Sequence, residues 1–387
     1  MSCTNPYIGV PKKGQVGMHI YKRYDFYSKY LSPKEIIHIK PFMGNYDENV
    51  FDIEYQKVSP FLYDMIFETQ DKLTGKTIKM HPQYIPCGKC LGCRLDYSRD
   101  WSNRCIMESS RHEINWFITL TYDDANLTNG KVYLNKDLSD EEVPRWVDVE
   151  AKTLVPMEVT NFIKRLREYY SRVKNIENIR YFYCGEYGGT TGRPHYHLLV
   201  FGLDIDDLRL YRNTPKGDAL YNSDTIQKLW SKGFSVIAEM NWKTCAYTAR
   251  YILKKQGEGK KHKGFYDDIG LYQEFTRMSR NPGIATPYYE AHVEQILEDD
   301  KIVLPAIDGK PHIITPGRSF THFIEESGRY DWMEKLSDNK QKRREKATDM
   351  LREVHYHLNM TDEEYFEMNF EISKKTAETL TFFRNKA

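Results

Sequence analysis

Between Tyr181 and Phe201 the chain reads YFYCGEYGGTTGRPHYHLLVF, and few local structures accommodate such a string. Two aromatic-rich apolar runs flank a segment holding Gly188, Gly189 and Gly192. That is the pattern of two antiparallel strands joined by a loop. Side chains alternate faces along a strand, so His195 and His197 project from the same side. A bulky apolar residue follows each imidazole, which assigns the opposite side to the core. If Tyr187 and Pro194 close the loop, Glu186 falls opposite His195 on the partner strand. Two imidazoles and a carboxylate at one point make an open site for a divalent cation, with positions left for water and substrate. A His-x-His pair alone is weak evidence for metal, because strands carry such pairs by composition.

A second element strengthens the reading. Residues Ala246 to Lys255 read AYTARYILKK. As a helix they place Tyr247, Arg250, Tyr251 and Lys254 at i, i+3, i+4 and i+7, hence on one face. Ala246, Ala249 and Leu253 then occupy the opposite face and suit packing against a sheet, and Gly257 is a natural stop. Tyrosines interleaved with arginine and lysine on one stripe make a poor core.

An apolar strand (Phe117 to Tyr122), a His-Tyr-His strand and a Tyr-x-x-x-Tyr-x-x-Lys helix follow one another in that order. The set resembles the HUH endonuclease superfamily of rolling-circle replication initiators. The string Cys87-Gly88-Lys89-Cys90-Leu91-Gly92-Cys93-Arg94 and the motif Gly192-Arg193-Pro194-His195-Tyr196-His197 are similar to replication initiators of gokushovirus-type microviruses, phages with single-stranded DNA. The three motifs cover about 115–256, and the cysteine string with Met278 to Gly283 extends the likeness to about 80–290.

The resemblance implies a metal-dependent, site-specific DNA endonuclease and strand transferase. It implies Mg2+ or Mn2+ held by Glu186, His195 and His197, with Tyr251 and Tyr247 as nucleophiles and Lys254 at the phosphate. A phenol is a poor nucleophile at its free pKa, so nicking through a covalent 5′-phosphotyrosine needs a cation to polarise and orient the phosphate. Tyrosines one helical turn apart suit a scheme in which one holds the DNA end while the other cuts the next junction. Tyr251, three residues before Lys254, is expected to make the first cut and Tyr247 to serve in termination. The implied partners are single-stranded DNA at a phage origin and a host helicase and polymerase, in the bacterial cytoplasm. No Gly-x-x-x-x-Gly-Lys-Ser/Thr string occurs, so unwinding falls to the host enzyme.

Two rival readings share parts of this pattern. A transposase or relaxase of a mobile element would use the same HUH chemistry, although relaxases usually carry a third histidine where Glu186 stands. A non-enzymatic, zinc-bearing nucleic-acid binder would make the cysteine string the main site.

Net charge is only +1, so any basic surface must be local. Between 243 and 263 the chain holds Lys243, Arg250, Lys254, Lys255, Lys260, Lys261 and Lys263 against Glu258 alone. Arg193, Arg250, Lys255, Lys260 and Lys261 are therefore the expected DNA contacts. The 29 tyrosines suit single strands, whose bases stack on aromatic rings. No stretch reaches the length of a transmembrane helix and no signal peptide is evident, so no membrane partner is expected. In a reducing compartment the spacing of Cys87, Cys90 and Cys93 reads as a structural zinc site, with Cys105, His81 or His112 as fourth ligand, or as a tight packed turn.

The expected fold class is α+β: an antiparallel sheet of ferredoxin-like, split βαβ type with helices on its faces. The expected organisation is an irregular N-terminal extension (1–80) with strand candidates at 51–58 and 61–67, an HUH domain (81–300) and a mostly helical C-terminal extension (301–387). Within the domain, the cysteine-rich segment 87–93 precedes a helix over 97–113. A polar insertion over about 123–156 is followed by an amphipathic helix over 157–173 with Val159, Phe162, Ile163, Leu166, Tyr170 and Val173 inward. A short helix over 226–230 and a strand over 234–240 complete it.

Overall fold

A computed structural model describes residues 3, 6–22, 65–134, 145–189, 191–215, 217–255, 265–307, 310–357, 360 and 362–385. It divides into two compact units, one of 1–96, 293–302 and 315–387 and one of 97–292 and 303–314. Both flanks of the chain fall in the first unit, in place of the three consecutive segments expected from sequence.

In the first unit, β1 (Tyr7–Pro11) pairs antiparallel with both β2 (Met18–Tyr21) and β5 (Gln83–Ile85). A separate hairpin joins β3 (Phe67–Gln70) to β4 (Thr77–Met80). The described part of the N-terminal region is therefore stranded rather than irregular: Ile8 and Val10 are almost fully buried, and that burial holds the strand. The candidate strands at 51–58 and most of 61–67 lie outside the described residues. Helix α1 (Leu91–Ser109) begins six residues before the expected start, directly after the cysteine string. The C-terminal helices expected from the charged sequence are present over Arg318–Ser327, Tyr330–His357 and Asp362–Asn385.

The second unit is built on a seven-stranded antiparallel sheet. Its strands are β6 (Asn115–Tyr122), β9 (Arg180–Tyr187), β10 (Pro194–Phe201), β11 (Arg209–Asn213), β12 (Ala219–Asn222), β13 (Gly233–Glu239) and β14 (Phe275–Met278). The order across the sheet is β11-β12-β13-β6-β10-β9-β14. Because β10 pairs antiparallel with both β6 and β9, those two run parallel with a strand between them, which is the split crossover expected. The expected insertion contains a hairpin of β7 (Asn129–Leu134) and β8 (Arg145–Lys152).

Helix α2 (Pro156–Lys174) makes the crossover. Pro156 opens it, where a missing N–H costs nothing, and Asn175 closes it in the left-handed conformation. Val159, Phe162, Ile163, Leu166 and Tyr170 are buried as expected. Val173 is not: it is 60% exposed, one turn beyond the reach of the sheet. Helix α3 (Asp224–Trp230) is capped by the Ser223 hydroxyl, which accepts from the Ile226 amide. These two helices share one core with Ile118, Leu120, Tyr122, Tyr196, Leu198, Val200 and Ile237, all from one side of the sheet. The other side therefore carries Thr119, Thr121, His195, His197 and Glu186. Helix α4 (Trp242–Lys255) crosses that side over β9, β10 and β14. Its first turn is fixed reciprocally by Asn241 and Thr244, each side chain bonding the other's amide.

Candidate functional site

The strand register delivers the three candidate ligands. His195 lies opposite Glu186, His197 opposite Cys184, and Pro194 opposite Tyr187, so the loop closes at the expected pair. Gly188 and Arg193 pinch it shut, with the Gly188 amide donating to the Arg193 carbonyl. Strand β9 comes this close only because residue 185 is glycine. A Cβ there would stand 2.8 Å from the Phe275 ring and 3.1 Å from that of Tyr196.

Both imidazoles turn to a single carboxylate oxygen. Nε2 of His195 is 2.7 Å and Nε2 of His197 is 3.0 Å from Oε1 of Glu186. The far side of each ring is engaged as well. Nδ1 of His195 donates to the Arg193 carbonyl at 3.0 Å, and Nδ1 of His197 meets the Thr119 hydroxyl at 3.0 Å. Such outer partners fix the ring orientation that a metal ligand needs and direct Nε2 inward. Phe117 stacks on His197 with the planes 10° apart. Burial alone would raise the Glu186 carboxyl; hydrogen bonds and charge from the two imidazoles instead hold it far below the usual carboxylate range. The residues fit a divalent cation: three ligating atoms of the right chemistry lie within 4.8 Å of one another. The His195 side chain is 17% exposed against 3% for Glu186, so the open positions face its side.

Helix α4 brings Tyr247 to this site. Its ring meets that of His197 edge to face, with centroids 5.1 Å apart, and that of Phe117 at 6.1 Å. Cys245, Thr248 and Ala249 are the buried positions of the helix, and Ala246, expected to pack, is half-buried. The backbone of Tyr251, Lys254 and Lys255 continues the same helix. Their side chains and that of Arg250 lie outside the described ones, as do Lys260 and Lys261 altogether. Arg193, expected at DNA, is engaged within the protein. Its guanidinium donates twice to the Tyr122 carbonyl and pairs with Asp124 at 2.8 Å.

Two residues beside the ligands are not singled out by the sequence. Thr119 is opposite His197 in the register, and only the pairing of β6 with β10 reveals it. Phe234 lies opposite Thr121, which lies opposite His195, so Phe234, Thr121, His195 and Glu186 form one row across four strands. Phe234 is 65% exposed. Its signal in the sequence is a large aromatic at a strand position of site-face parity.

The cysteine string gains a different fourth member. Sulfurs of Cys3, Cys87, Cys90 and Cys93 lie within 4.8 Å of one another. Cys105 is not among them: twelve residues along α1 from Cys93, it is carried about 18 Å away by helical rise. Burial and the nearby Cys245 thiol push its own thiol up. His81 and His112 are engaged elsewhere, with the Met65 carbonyl and Glu108. Among the described residues, no helix is long and apolar enough to cross a membrane.

Residues 115–256 match the family described as Replication-associated protein ORF2. The chain is 36% identical over 226 residues to Replication-associated protein ORF2 of Spiroplasma virus 4, covering 58% of this chain and 63% of that protein. It is 32% identical over 224 residues to Replication-associated protein VP4 of Bdellovibrio phage phiMH2K, covering 57% and 62%. Replication-associated protein ORF4 of Chlamydia phage 1 is 27% identical over 227 residues, covering 57% and 49%. The chain thus spans less than two thirds of the length of these relatives. No solved structure matches.

Proposed function

We propose that this chain, similar as it is to replication-associated proteins of gokushovirus-type microviruses, initiates rolling-circle replication of a single-stranded DNA phage by nicking and rejoining the origin strand. The observation that carries the proposal is the convergence of His195 and His197 on Oε1 of Glu186, with a tyrosine ring packed against His197. Purely structural histidines have no need of a shared buried carboxylate beneath a tyrosine-bearing helix.

Glu186, His195 and His197 would hold Mg2+ or Mn2+, which when bound polarises the scissile phosphate and neutralises its developing charge. The protein's own residues do the rest. Thr119 and the Arg193 carbonyl keep the imidazoles oriented. The phenol oxygen of Tyr251 or Tyr247 attacks phosphorus and loses its proton. The new bond is O–P to tyrosine, the bond broken is P–O3′, and the departing 3′ oxygen takes up a proton. The other tyrosine repeats the step at the next junction, and the freed 3′ hydroxyl attacks the first phosphotyrosine to close a circle. Lys254 would balance charge at the phosphate, and Arg250, Lys255, Lys260 and Lys261 would grip the flanking backbone. Phe234, exposed in the same row as His195, would stack a base beside the cleavage point. Unwinding and synthesis would fall to a host helicase and polymerase in the bacterial cytoplasm.

The test is to incubate the full chain and Mn2+ with single-stranded oligonucleotides tiling the phage genome. A denaturation-resistant protein–DNA adduct on the 5′ side of the cut, mapped to a tyrosine peptide, is the expected product. Absence of an adduct with every tile, in Mn2+ and in Mg2+, would overturn the proposal.

A further inference from the structure

We infer that Cys3, Cys87, Cys90 and Cys93 form a mononuclear tetrathiolate zinc site, separate from the histidine site and structural in role. A zinc ion with four sulfurs at about 2.3 Å requires tetrahedral edges of about 3.8 Å. The sulfurs of Cys90 and Cys3 are 3.8 Å apart, those of Cys87 and Cys93 are 4.0 Å apart, and every other pair stays within 4.8 Å. None of the four is in a disulfide. Thiolates of an iron–sulfur cluster sit on separate irons and stand farther apart than this.

The backbone is arranged for thiolates rather than thiols. The amide of Cys87 donates to the Cys3 sulfur at 3.3 Å, and the amides of Lys89 and Cys90 donate to the Cys87 sulfur at 3.5 and 3.3 Å. The amide of Cys93 donates to the Cys90 sulfur at 3.5 Å. Hydrogen bonds of this kind strengthen when the acceptor is charged. Gly88, at φ +73°, makes the turn that aims two of these amides, a conformation side-chain-bearing residues seldom adopt. Helix α1 starts at Leu91, so Cys90 and Cys93 also sit at its positive end.

The fourth ligand follows from strand pairing. Tyr7 lies opposite Ile85 in the antiparallel pair of β1 and β5. Running back from Tyr7 and forward from Ile85 brings Cys3 beside Cys87. The ion would fasten the first strand of the β2-β1-β5 sheet to the start of α1, in a sheet whose outer strand β2 is largely exposed and contributes little burial of its own.

Elemental analysis of the full chain tests this, with His195→Ala and His197→Ala introduced to remove the other candidate site. About one zinc per chain should survive gel filtration. Cobalt exchanged for it should give the sulfur-to-cobalt charge-transfer absorption of a tetrahedral thiolate centre. Cys3→Ser should lower the zinc content at least several-fold, whereas Cys245→Ala, which alters a thiol outside the group, should leave it unchanged. A folding defect in Cys3→Ser cannot obscure the result, because the zinc content and cobalt spectrum are read on the chain with all four cysteines. A zinc-free chain, an iron content, a disulfide detected by mass, or a cobalt spectrum without sulfur charge transfer would each overturn the site. Full zinc retention by folded Cys3→Ser would overturn Cys3 as the fourth ligand.

Discussion

Tyr247 meets His197 edge to face across the gap between helix α4 and strand β10, their ring centroids 5.1 Å apart. A phenol carried by the helix therefore shares the site with a ligand carried by the sheet, and Tyr251 follows one turn later on the same helix. Replacing Tyr251 with Phe is expected to abolish the first nick. Tyr247→Phe should still nick but fail to release closed circles. Adduct mapping on denaturing gels and analysis of circular products check this, and the reverse pattern would exchange the two roles.

Thr119 offers a cleaner probe of the metal site than the ligands do, since it touches only the far nitrogen of His197. Thr119→Val is expected to weaken Mn2+ binding by about 10–100-fold while leaving the fold intact. Calorimetric titration of Mn2+ into the variant reads this directly. Unchanged affinity would show that the hydroxyl does not orient the ring.

Phe234 should matter to DNA and not to metal. Phe234→Ala is expected to weaken binding of single-stranded oligonucleotides by about 1–3 kcal/mol, roughly 5- to 150-fold. Mn2+ affinity should be unaltered, because the side chain is exposed and two strands removed from His195. Fluorescence anisotropy with labelled oligonucleotides checks the first part. Equal affinity of the two proteins would remove the stacking role.

Stability toward acid should depend on Glu108. This buried carboxylate pairs with Arg180 and accepts the Ala285 amide at 2.7 Å. Burial alone would raise its pKa, but His112, the Ala285 amide and Arg180 together hold it below the ordinary value. A group depressed in the folded state contributes stability that is fully present above its unfolded pKa of about 4.3 and is lost as pH falls through the folded value. Glu108→Gln should cost about 3–5 kcal/mol near neutrality, since it leaves Arg180 buried beside an uncharged partner. The deficit should shrink as pH drops below about 4. Urea denaturation at several pH values measures both.

The hairpin is legible in the sequence because local rules fix it: period-two patterning, a glycine-bearing loop and a register pinned by that loop. Helix α2 is legible for the same reason, as its stripe from Val159 to Tyr170 repeats at helical spacing. Long-range pairing hides the rest. Thr119 and Phe234 acquire meaning only when β6 is known to lie between β10 and β13. Cys3 stands 84 positions before Cys87, and nothing nearby in sequence announces it. Arg193 illustrates the opposite error. A basic residue inside a motif suggests DNA, but the loop uses it to hold the Tyr122 carbonyl.

Strand β10 is a wall with a different tenant on each side. The Tyr196 hydroxyl bonds that of Tyr122 and accepts the Val155 amide within the core, while the residues before and after it face Glu186. A slip of one position against β9 would put Tyr196 at the carboxylate and press both imidazoles into the apolar layer. Misregistered chains could therefore neither pack nor coordinate. A cation that recognises only the native pairing draws the folding ensemble toward it by mass action, so catalytic competence would serve as a proofreading step for the sheet itself.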